Sequence, residues 1–495
     1  MVIPGPITAR FTNLYRAYLV YRRSPHEVHL ALHKKHGPLV RIGPNVVSVS
    51  GSARYIPQIY GIGKGLIKSD FYSCFQNIVN GRRAASLVAL TDESEHAKSK
   101  RLIAHAYSLS TLVEYEGLVD STVDVFLATL EARFIAGKGT DKAPILDLGR
   151  WLQYFAFDVI GELTFSRRLG FIESGEDVNS IISAIGANFE YFSVLGQIPW
   201  MDEAILGKNP IYIKYFRKGI SSPILQFAQS LLKERLQQMD EGGKDEISSS
   251  LEKPDFLSRF LKIRQEQADG ETPMTDGHLM SNLFLNINAG SDTVASTLRA
   301  IIYHTLRTPG SLEKLISELT TAADEGTIST PSPTWHETQH HLPYLCAVVK
   351  EGLRMNPALS LPLERVVPPE GLNLSHDDGT STFLPPGTIV GINPWVLHRS
   401  PGVFGFEDDV EQWNPDRWLT EHEQQTKSME HALLAFGAGK RSCLGKNIAM
   451  LELHKIVAAL FLKFEVELDD PQREWVVSNA WALNQTGLLV KLKSR

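Results

Sequence analysis

The sequence predicts a mostly α-helical fold that contains at least one short strand. Apolar residues recur at mostly helical spacing from Thr275 to Arg307, which predicts a helix roughly 50 Å long at about 1.5 Å per residue. A second helix begins near Pro343, and an amphipathic run follows Gly445. The segment from Leu361 to Pro368 predicts a strand, because β-branched and apolar residues are bounded there by prolines.

The composition favours one large globular domain. The chain has 495 residues, of which 43% are apolar and 21% are charged, so it can bury a large core. No linker rich in glycine, serine or proline divides the sequence, and no repeat is present. The polar stretch from Gln237 to Lys253 is typical of a loop between helices. We therefore expect a single domain over residues 1–495.

The charge and the cysteine content limit the partners and the compartment. With 50 basic and 56 acidic residues the formal net charge is −6 and no basic tail is present, so nucleic acid is not an expected partner. The cysteines Cys74, Cys346 and Cys443 are odd in number and far apart, which argues against a disulfide framework. This pattern favours the reducing cytosolic face of a cell.

The sequence predicts no transmembrane helix, because it has no run of about 18 consecutive apolar residues. Met1 is followed almost at once by Pro4-Gly5-Pro6, without a basic and then apolar signal segment. Attachment to a membrane surface stays open through a group of apolar and aromatic residues near the N-terminus. These are Phe11, Leu14, Tyr15, Tyr18 and Leu19.

The most informative segment surrounds Cys443. Residues 436–445 read FGAGKRSCLG, which places the cysteine between a glycine-rich turn and a helix that begins at Lys446. A cysteine in the first turn of a helix meets unpaired N–H groups and the positive end of the helix dipole, so its thiolate form is favoured. Such a thiolate can bind haem iron axially and favour O–O cleavage. Arg441 offers a forked donor for a haem propionate, and Gly445 leaves room for a flat macrocycle.

This segment matches the pattern F-x-x-G-x-R-x-C-x-G in full and resembles the haem-binding loop of the cytochrome P-450 family. The resemblance implies that Phe436, Arg441, Cys443 and Gly445 bind haem b, with Cys443 as the iron ligand. It also implies a mostly α fold with a small β-rich lobe, in which haem lies between the long central helix and the cysteine-bearing helix. Electrons would come from NADPH through a flavoprotein reductase.

Flanking segments extend the resemblance over essentially the whole chain. Residues 4–6, 36–45 and 153–162 are similar to fungal microsomal members, particularly those like pisatin demethylase. In microsomal members a proline hinge follows an N-terminal membrane anchor. We therefore expect that the anchor is absent from this chain and that the protein acts on the cytosolic face of the endoplasmic reticulum membrane.

The segment Ala289-Gly290-Ser291-Asp292-Thr293 lies in the middle of the long helix. Its small residues leave space beside the helix, and Ala289-Gly290 weakens the backbone ladder enough to allow a local bulge. Asp292 and Thr293 offer a carboxylate and a hydroxyl for proton delivery during oxygen activation. The family pattern is A/G-G-x-D/E-T, usually followed by serine or threonine, whereas Val294 follows here.

A buried ion-pair cluster is expected around Glu351. Glu351 and Arg354 share a helix face and match the family's E-x-x-R. Residues 413–418, which read WNPDRW, resemble the family's P-E-R-F segment and contribute Arg417. A buried Glu351 with Arg354 and Arg417 would hold the loop that leads to Cys443, and removal of one partner would strand a charge.

By resemblance, two more segments contact the haem propionates. Arg365, in the predicted strand, contacts one of them. A helix that opens after Thr91 carries His96 and Lys100 four residues apart, so both can face the second propionate. The family more often has tryptophan or histidine with arginine there. Lys100 therefore places a point charge where a fork is usual, and Arg101 is available to share its role.

The resemblance also indicates the walls of a substrate cavity. Their mainly apolar side chains favour a hydrophobic small molecule such as a terpenoid, a polyketide or a flavonoid-like aromatic. The residues expected to line the cavity are Phe71, Phe75, Phe192, Ala289, Leu359, Leu361 and Leu483.

Basic residues surround the thiolate side of the expected haem site. An acidic reductase could dock there, although a solvated face and neutralisation of the propionates explain the same residues. They are Lys98, Lys100, Arg101, Lys440, Arg441 and Lys446.

Together these features predict a haem-thiolate monooxygenase that inserts one atom of O2 into a hydrophobic small molecule in fungal secondary metabolism. Enzymes of the same fold that desaturate, close rings or rearrange their substrates form the first alternative. Alternatives of a different class are a haem-binding sensor and a cysteine hydrolase that pairs Cys443 with a histidine such as His454.

Overall fold

The computed structural model describes residues 3–79, 82–135, 144–216, 223–241, 255–266 and 274–495. Helices predominate there and the strands are short, in agreement with the predicted mostly α fold with a small β-rich lobe. The predicted loop from Gln237 to Lys253 is occupied by helix as far as Glu241, and its remainder lies outside the described residues.

The α-helices are α1 Leu14–Tyr21, α2 Pro25–His36, α3 Tyr55–Tyr60, α4 Glu93–Ile103, α5 Leu109–Phe134, α6 Leu148–Phe165, α7 Phe171–Ser174, α8 Ile181–Leu195, α9 Pro199–Ala204, α10 Pro210–Phe216, α11 Pro223–Glu241, α12 Phe256–Glu266, α13 Asp276–Arg307, α14 Ser311–Asp324, α15 Trp335–His341, α16 Pro343–Met355, α17 Pro394–Leu397, α18 Glu423–Ala432 and α19 Lys446–Lys463. The strands are β1 Leu39–Gly43, β2 Val46–Val49, β3 Ile67–Lys68, β4 Asn77–Val79, β5 Arg82–Ala84, β6 Leu146–Asp147, β7 Arg365–Val366, β8 Leu372–Ser375, β9 Ser381–Leu384, β10 Ile389–Ile392, β11 Phe464–Leu468, β12 Val476–Ala480, β13 Ala482–Thr486 and β14 Leu489–Ser494.

The main sheet joins the beginning of the chain to its last third. Its strand order is β1-β2-β10-β7-β3, in which β2 and β10 are parallel and the other neighbours are antiparallel. A second sheet has the order β11-β14-β6, and three hairpins pair β4 with β5, β8 with β9, and β12 with β13. The β-rich lobe is therefore assembled from both ends of the chain.

The strand predicted from Leu361 to Pro368 is much shorter than expected. Only Arg365–Val366 pairs with neighbouring strands, namely β10 and β3. Pro362 has no N–H to donate to a ladder, and Ser360, just before the predicted strand, donates its N–H to the carbonyl of Trp481. The proline pattern therefore located the strand but overestimated its length.

The long helix α13 begins where the sequence predicts. Thr275 is its N-cap and forms a capping box with His278. The bulge that Ala289-Gly290 could allow does not form, and the helix is continuous there. Gly290 serves close packing instead, since a Cβ at this position would lie 2.9 Å from the Ile160 side chain of α6.

The largest apolar cluster lies around α13. This helix packs most extensively against α6, and side chains of α5 and α19 complete the same cluster. Helix α6 is buried along nearly its whole length, and Arg150 and Gln153 are its exceptions. The middle of α13 is therefore held by a rigid neighbour on one side. No helix in the described ranges is long and apolar enough to cross a bilayer.

The N-terminal helix α1 has an outer and an inner face. Phe11, Leu14 and Tyr18 are exposed, as attachment to a membrane surface would require. Leu19 does not belong to this surface, because it is buried on the inner face of α1. On that inner face Arg16 forms a buried ion pair with Glu364, which ties α1 to the segment that leads to β7.

Three buried histidines, His26, His29 and His33, lie along one face of α2. Burial lowers the pKa of His26 to about 4, of His29 to about 3 and of His33 to about 4. The cations Arg399 and Arg16 lower the pKa values of His26 and His29 further. All three rings are therefore neutral in the folded protein at neutral pH.

These histidines predict a loss of stability in mild acid. The unfolded chain takes up protons below pH ~6.5 whereas the folded chain does not until pH ~4, so each ring removes up to about 1.4 kcal/mol per pH unit. The free energy of unfolding, measured in urea, should change little above pH ~6.5 and should fall steeply as the pH is lowered from ~6.5 to ~4. His29→Asn should reduce the slope between pH 6.5 and 4.5, whereas the exposed control His422→Asn should not; equal slopes in both variants would contradict the prediction.

Candidate active site

The loop before α19 presents Cys443 on a compact turn. Gly437 and Gly439 have φ of 66° and 65°, a left-handed conformation that favours glycine. A Cβ on Gly439 would overlap the carbonyl oxygen of Tyr60 in α3, so the loop also needs a residue without a side chain there. The N–H of Cys443 donates to the carbonyl oxygen of Phe436 at 2.8 Å and closes the loop.

Cys443 lies just before the helix rather than in its first turn, since Gly445 is the N-cap and α19 begins at Lys446. The Cys443 thiol nevertheless accepts hydrogen bonds from the N–H groups of Gly445 and Lys446. Surrounding protein atoms raise the pKa of Cys443, whereas these N–H groups and the ammonium of Lys100 act to lower it. The residue keeps an exposed face, so its sulfur is accessible to a ligand.

A set of basic side chains, most of them cations, converges beside this loop, and we call it the cationic cluster. It consists of Lys68, His96, Lys100, Arg365 and Arg441. The pairing of β3 with β7 places Lys68 opposite Arg365. Burial, followed by the charges of Arg441, Lys68, Lys100 and Arg365, lowers the pKa of His96 to about 3. Burial and the charges of Arg365 and Arg441 likewise lower the pKa of Lys68.

Protein oxygens fix the positions of these cations. Arg441 binds Glu93 through Nη2 at 2.7 Å and the carbonyl of Leu90 through Nη1 at 2.8 Å. Arg365 donates to the carbonyl of Glu364 at 2.8 Å, and Lys100 donates to the carbonyl of Lys440 at 2.9 Å. Lys100 is thus anchored to the cysteine loop itself.

Lys68 is a member of the cluster that the sequence patterns did not reveal. Its Nζ donates to the carbonyl of Val88 at 2.6 Å and lies 4.1 Å from the centre of the Tyr72 ring. Lys68 is almost fully buried, which is rare for a lysine, and the carboxylate of Glu93 offsets only part of the effect of burial on its pKa. Only the register of β3 against β7 brings it beside Arg365, and that register could not be read from the sequence. By contrast Arg101, considered as a substitute for Lys100, is exposed.

The two polar residues in the middle of α13 point in different directions. Thr293 Oγ1 donates to the carbonyl of Ala289 at 2.8 Å, and Ala289 itself is exposed on an otherwise largely buried helix. Asp292 Oδ1 accepts a hydrogen bond from Gln153 Nε2 at 2.6 Å. Gln153 Oε1 in turn accepts from Arg299 at 2.8 Å. Burial raises the pKa of Asp292, while Gln153 and Arg299 oppose the shift.

Glu351 is the centre of a fully buried ion-pair cluster. Arg354 binds both of its carboxylate oxygens at 2.8 Å, and Arg417 Nε lies 3.1 Å from Oε1. The N–H of Asn414 and the indole N–H of Trp418 each donate to the carboxylate at 2.9 Å. Burial alone would raise the pKa of Glu351, but Arg354 and then Arg417 outweigh it, so the pKa lies below its ordinary value.

His398 connects this cluster to the cysteine loop and was not indicated by the sequence patterns. Its Nε2 accepts a hydrogen bond from the N–H of Leu434 at 2.8 Å, so its Nδ1 carries the proton that is donated to the carbonyl of Arg354 at 3.0 Å. Burial lowers the pKa of His398 to about 3, which keeps the ring in this neutral form. The Glu351 cluster is therefore connected to the loop that leads to Cys443 through His398 and not by a direct bond from Glu351.

Most of the expected substrate wall comes together in one apolar cluster. Phe71, Phe75, Phe192, Leu359 and Leu361 pack in it, and we call it the aromatic wall. Leu483, on β13, is buried nearby and its N–H donates to the carbonyl of Ala358 at 2.9 Å. Ala289 lies apart from this cluster, on α13.

The hydrolase alternative has no support in the geometry. His454 is buried against the edge of the Trp335 ring, with centroids 5.4 Å apart, and its Nδ1 bonds to the carbonyl of Met450. Its partners therefore leave it unavailable to Cys443 as a base.

Comparison with known proteins decides the family. The cytochrome P-450 family model matches residues 4–492. The chain belongs to the cytochrome P-450 family. A cytochrome P-450 monooxygenase of Aspergillus terreus is 43% identical over 94% of this chain and 90% of its own length. One from Aspergillus flavus is 40% identical over 99% and 92%, and the monooxygenase pkfB of Emericella nidulans is 40% identical over 100% and 91%.

These relatives establish the chain as a cytochrome P-450 monooxygenase, which is an enzyme of the haem-thiolate class. The predicted family, fold class and reaction class are therefore confirmed. None of these three relatives is named a pisatin demethylase, so that subgroup remains a prediction.

The two hydrogen bonds of His398 in this cytochrome P-450 should make a measurable contribution to the free energy of unfolding. His398→Phe leaves the carbonyl of Arg354 and the N–H of Leu434 without partners, at about 1–3 kcal/mol each. The free energy of unfolding should fall by about 2–6 kcal/mol in urea titrations. The exposed control His422→Phe should change it by less than about 0.5 kcal/mol. Indistinguishable values for the two variants would contradict the proposed link.

Proposed function

We propose that this cytochrome P-450 binds haem b through Cys443 and, with electrons from NADPH supplied by a reductase, inserts one atom of O2 into a hydrophobic secondary metabolite or its precursor. The observation that carries this proposal is the position of the cationic cluster beside the Cys443 loop. An accessible thiol with two N–H donors suits an iron ligand, and buried cations suit the two propionates of haem.

The donor set of the chain fits haem b. Buried cations are costly unless an anion accompanies them, and Glu93 is the carboxylate that binds Arg441 in this region. A dianionic ligand held by His96, Lys100, Arg365 and Arg441 would balance the remaining charge. Phe436 and Gly445 would complete the surface around Cys443. When bound, haem supplies the reductive activation of O2.

Asp292 and Thr293 of α13 would deliver protons during the activation of O2. The hydroxyl of Thr293 holds a proton at Oγ1 on the face where Ala289 is exposed. The carboxyl group of Asp292 has a raised pKa, so it can take up and release a proton closer to neutral pH than an ordinary aspartate. Gln153 and Arg299 orient this carboxyl group from α6 and from the next turns of α13.

The first test concerns the iron ligand. Cys443→Ala should abolish the red-shifted Soret band that a thiolate ligand gives to the ferrous carbon monoxide complex. Cys346→Ala, which removes a cysteine whose thiol donates to the carbonyl of Thr338, should retain the band at full intensity. A normal thiolate spectrum from Cys443→Ala would show that another residue binds the iron.

The second test concerns proton delivery. Thr293→Ala should still bind haem but should divert reducing equivalents to peroxide, raising peroxide formed per NADPH consumed by about tenfold or more. Thr297→Ala is the matched control, since Thr297 Oγ1 also bonds to a carbonyl four residues earlier in α13. Both ratios are measured by NADPH and peroxide assays with an added reductase. Equal ratios in the two variants would remove Thr293 from the mechanism.

The reductase would dock on the basic face around the cysteine loop. Arg101, Lys440 and Lys446 are exposed there, so their charges are available to an acidic partner. Lys98 is less available, because it forms an ion pair with Glu95 at 2.9 Å. Arg441 is also less available to a reductase, because it forms an ion pair with Glu93 at 2.7 Å.

We also assign the protein to the cytosolic face of the endoplasmic reticulum membrane. The exposed side chains of Ile7, Phe11, Leu14 and Tyr18 form an apolar surface at the N-terminal end, which would bury in the boundary between headgroups and acyl chains.

A further inference from the structure

One residue of the aromatic wall stands out by its environment. Trp481 lies at the tip of the hairpin formed by β12 and β13, where Ala480 pairs with Ala482. Its indole ring contacts Phe75, with centroids 4.5 Å apart, Phe189 at 5.9 Å and Phe71 at 6.1 Å. Phe71 and Phe75 belong to a 3-10 helix at Asp70–Phe75, and Phe189 belongs to α8. Trp481 therefore contacts both elements and packs between them.

The backbone of Trp481 is strained. Its φ is 71°, in the left-handed region that bulky residues rarely adopt and that glycine adopts freely. The surroundings hold it there, because its carbonyl accepts from the N–H of Ser360 at 3.1 Å and Asn479 Nδ2 binds the carbonyl of Ser360 at 3.0 Å. A bulky residue that its surroundings hold in this region marks the position as a candidate functional site.

The indole N–H of Trp481 has no hydrogen-bond partner in the described part of the chain, although the residue is only 6% exposed. Buried indole N–H groups normally have an acceptor. The same hairpin also contains two buried amide oxygens without partners, on Asn479 and Gln485.

We propose that the N–H of Trp481 donates a hydrogen bond to an oxygen acceptor on the substrate, while the surrounding rings hold the apolar ring system that carries this acceptor. Trp481 is then a specificity-determining residue, and the substrate class narrows to apolar, ring-containing molecules with a carbonyl or ether oxygen. This inference rests on the proposed function, because it takes the aromatic wall as part of the substrate cavity. Leu359 supports that placement, since it is bridged to Ala482 beside Trp481.

The test compares two probes of nearly the same shape, 9-fluorenone and fluorene, which differ by one carbonyl oxygen. Dissociation constants are measured by equilibrium dialysis with the haem-loaded protein. The parent should bind 9-fluorenone about tenfold more tightly, as expected for one hydrogen bond to an otherwise unpaired buried donor. Trp481→Phe should reduce this preference to within twofold and leave the affinity for fluorene within about twofold. The exposed control Trp200→Phe should retain the full preference.

Absence of a preference in the parent, or an unchanged preference in Trp481→Phe, would overturn the inference. The ferrous carbon monoxide spectrum of each variant reports separately on haem ligation, so failure of the proposed function is distinguishable from failure of the Trp481 assignment. If Trp481→Phe does not fold, replacement of Trp481 by 3-benzothienylalanine removes the N–H and keeps the bicyclic shape. The same loss of preference is then required.

Discussion

The buried carboxylate of Glu351 is the interaction on which the active-site side of the fold depends. Removal of one partner from a buried ion pair is strongly destabilising, because it leaves an uncompensated charge. Each group that surrounds Glu351 therefore constrains the others, and Arg354 extends the constraint through its carbonyl to His398. From there the N–H of Leu434 fixes the start of the loop that carries Cys443. A charge in the middle of the protein thus determines the position of the residue expected to bind iron.

The two ionic clusters differ in how completely they are satisfied. Around Glu351 each carboxylate oxygen has protein donors, so the cluster needs no further ligand. In the cationic cluster Lys68, His96, Arg365 and Arg441 share little negative charge apart from Glu93, and burial, followed by the charges of the neighbouring cations, lowers the pKa of His96. The same reasoning applies to the indole of Trp481, whose donor has no acceptor in the described part of the chain. Groups that the fold leaves unsatisfied are the natural candidates for ligand contacts.

The sequence was sufficient for the family, the long helix and the pairing partners of Glu351, because each depends on a local motif or on spacing within one helix. It was insufficient where contacts join distant segments. Lys68 meets Arg365 only through strand register, and His398 meets Leu434 only through tertiary packing. The predicted strand from Leu361 to Pro368 was too long for a similar reason, because its extent depends on pairing with β10 and β3, which are distant in sequence and pair with Arg365–Val366.

The strand pairing of β3 with β7 also has a consequence for synthesis of the protein. Lys68 is made early, but Arg365 and Arg441 are added only when most of the chain has been translated. Closing so large a loop is slow and entropically unfavourable, and the contact contributes nothing before both ends exist. The cationic cluster can therefore assemble only late, after Arg441 has been translated and has left the ribosome. Until then β1 and β2 can pair with each other, but β2 lacks β10 and β3 lacks β7, and unpaired strand edges of this kind make a partly folded chain prone to aggregate.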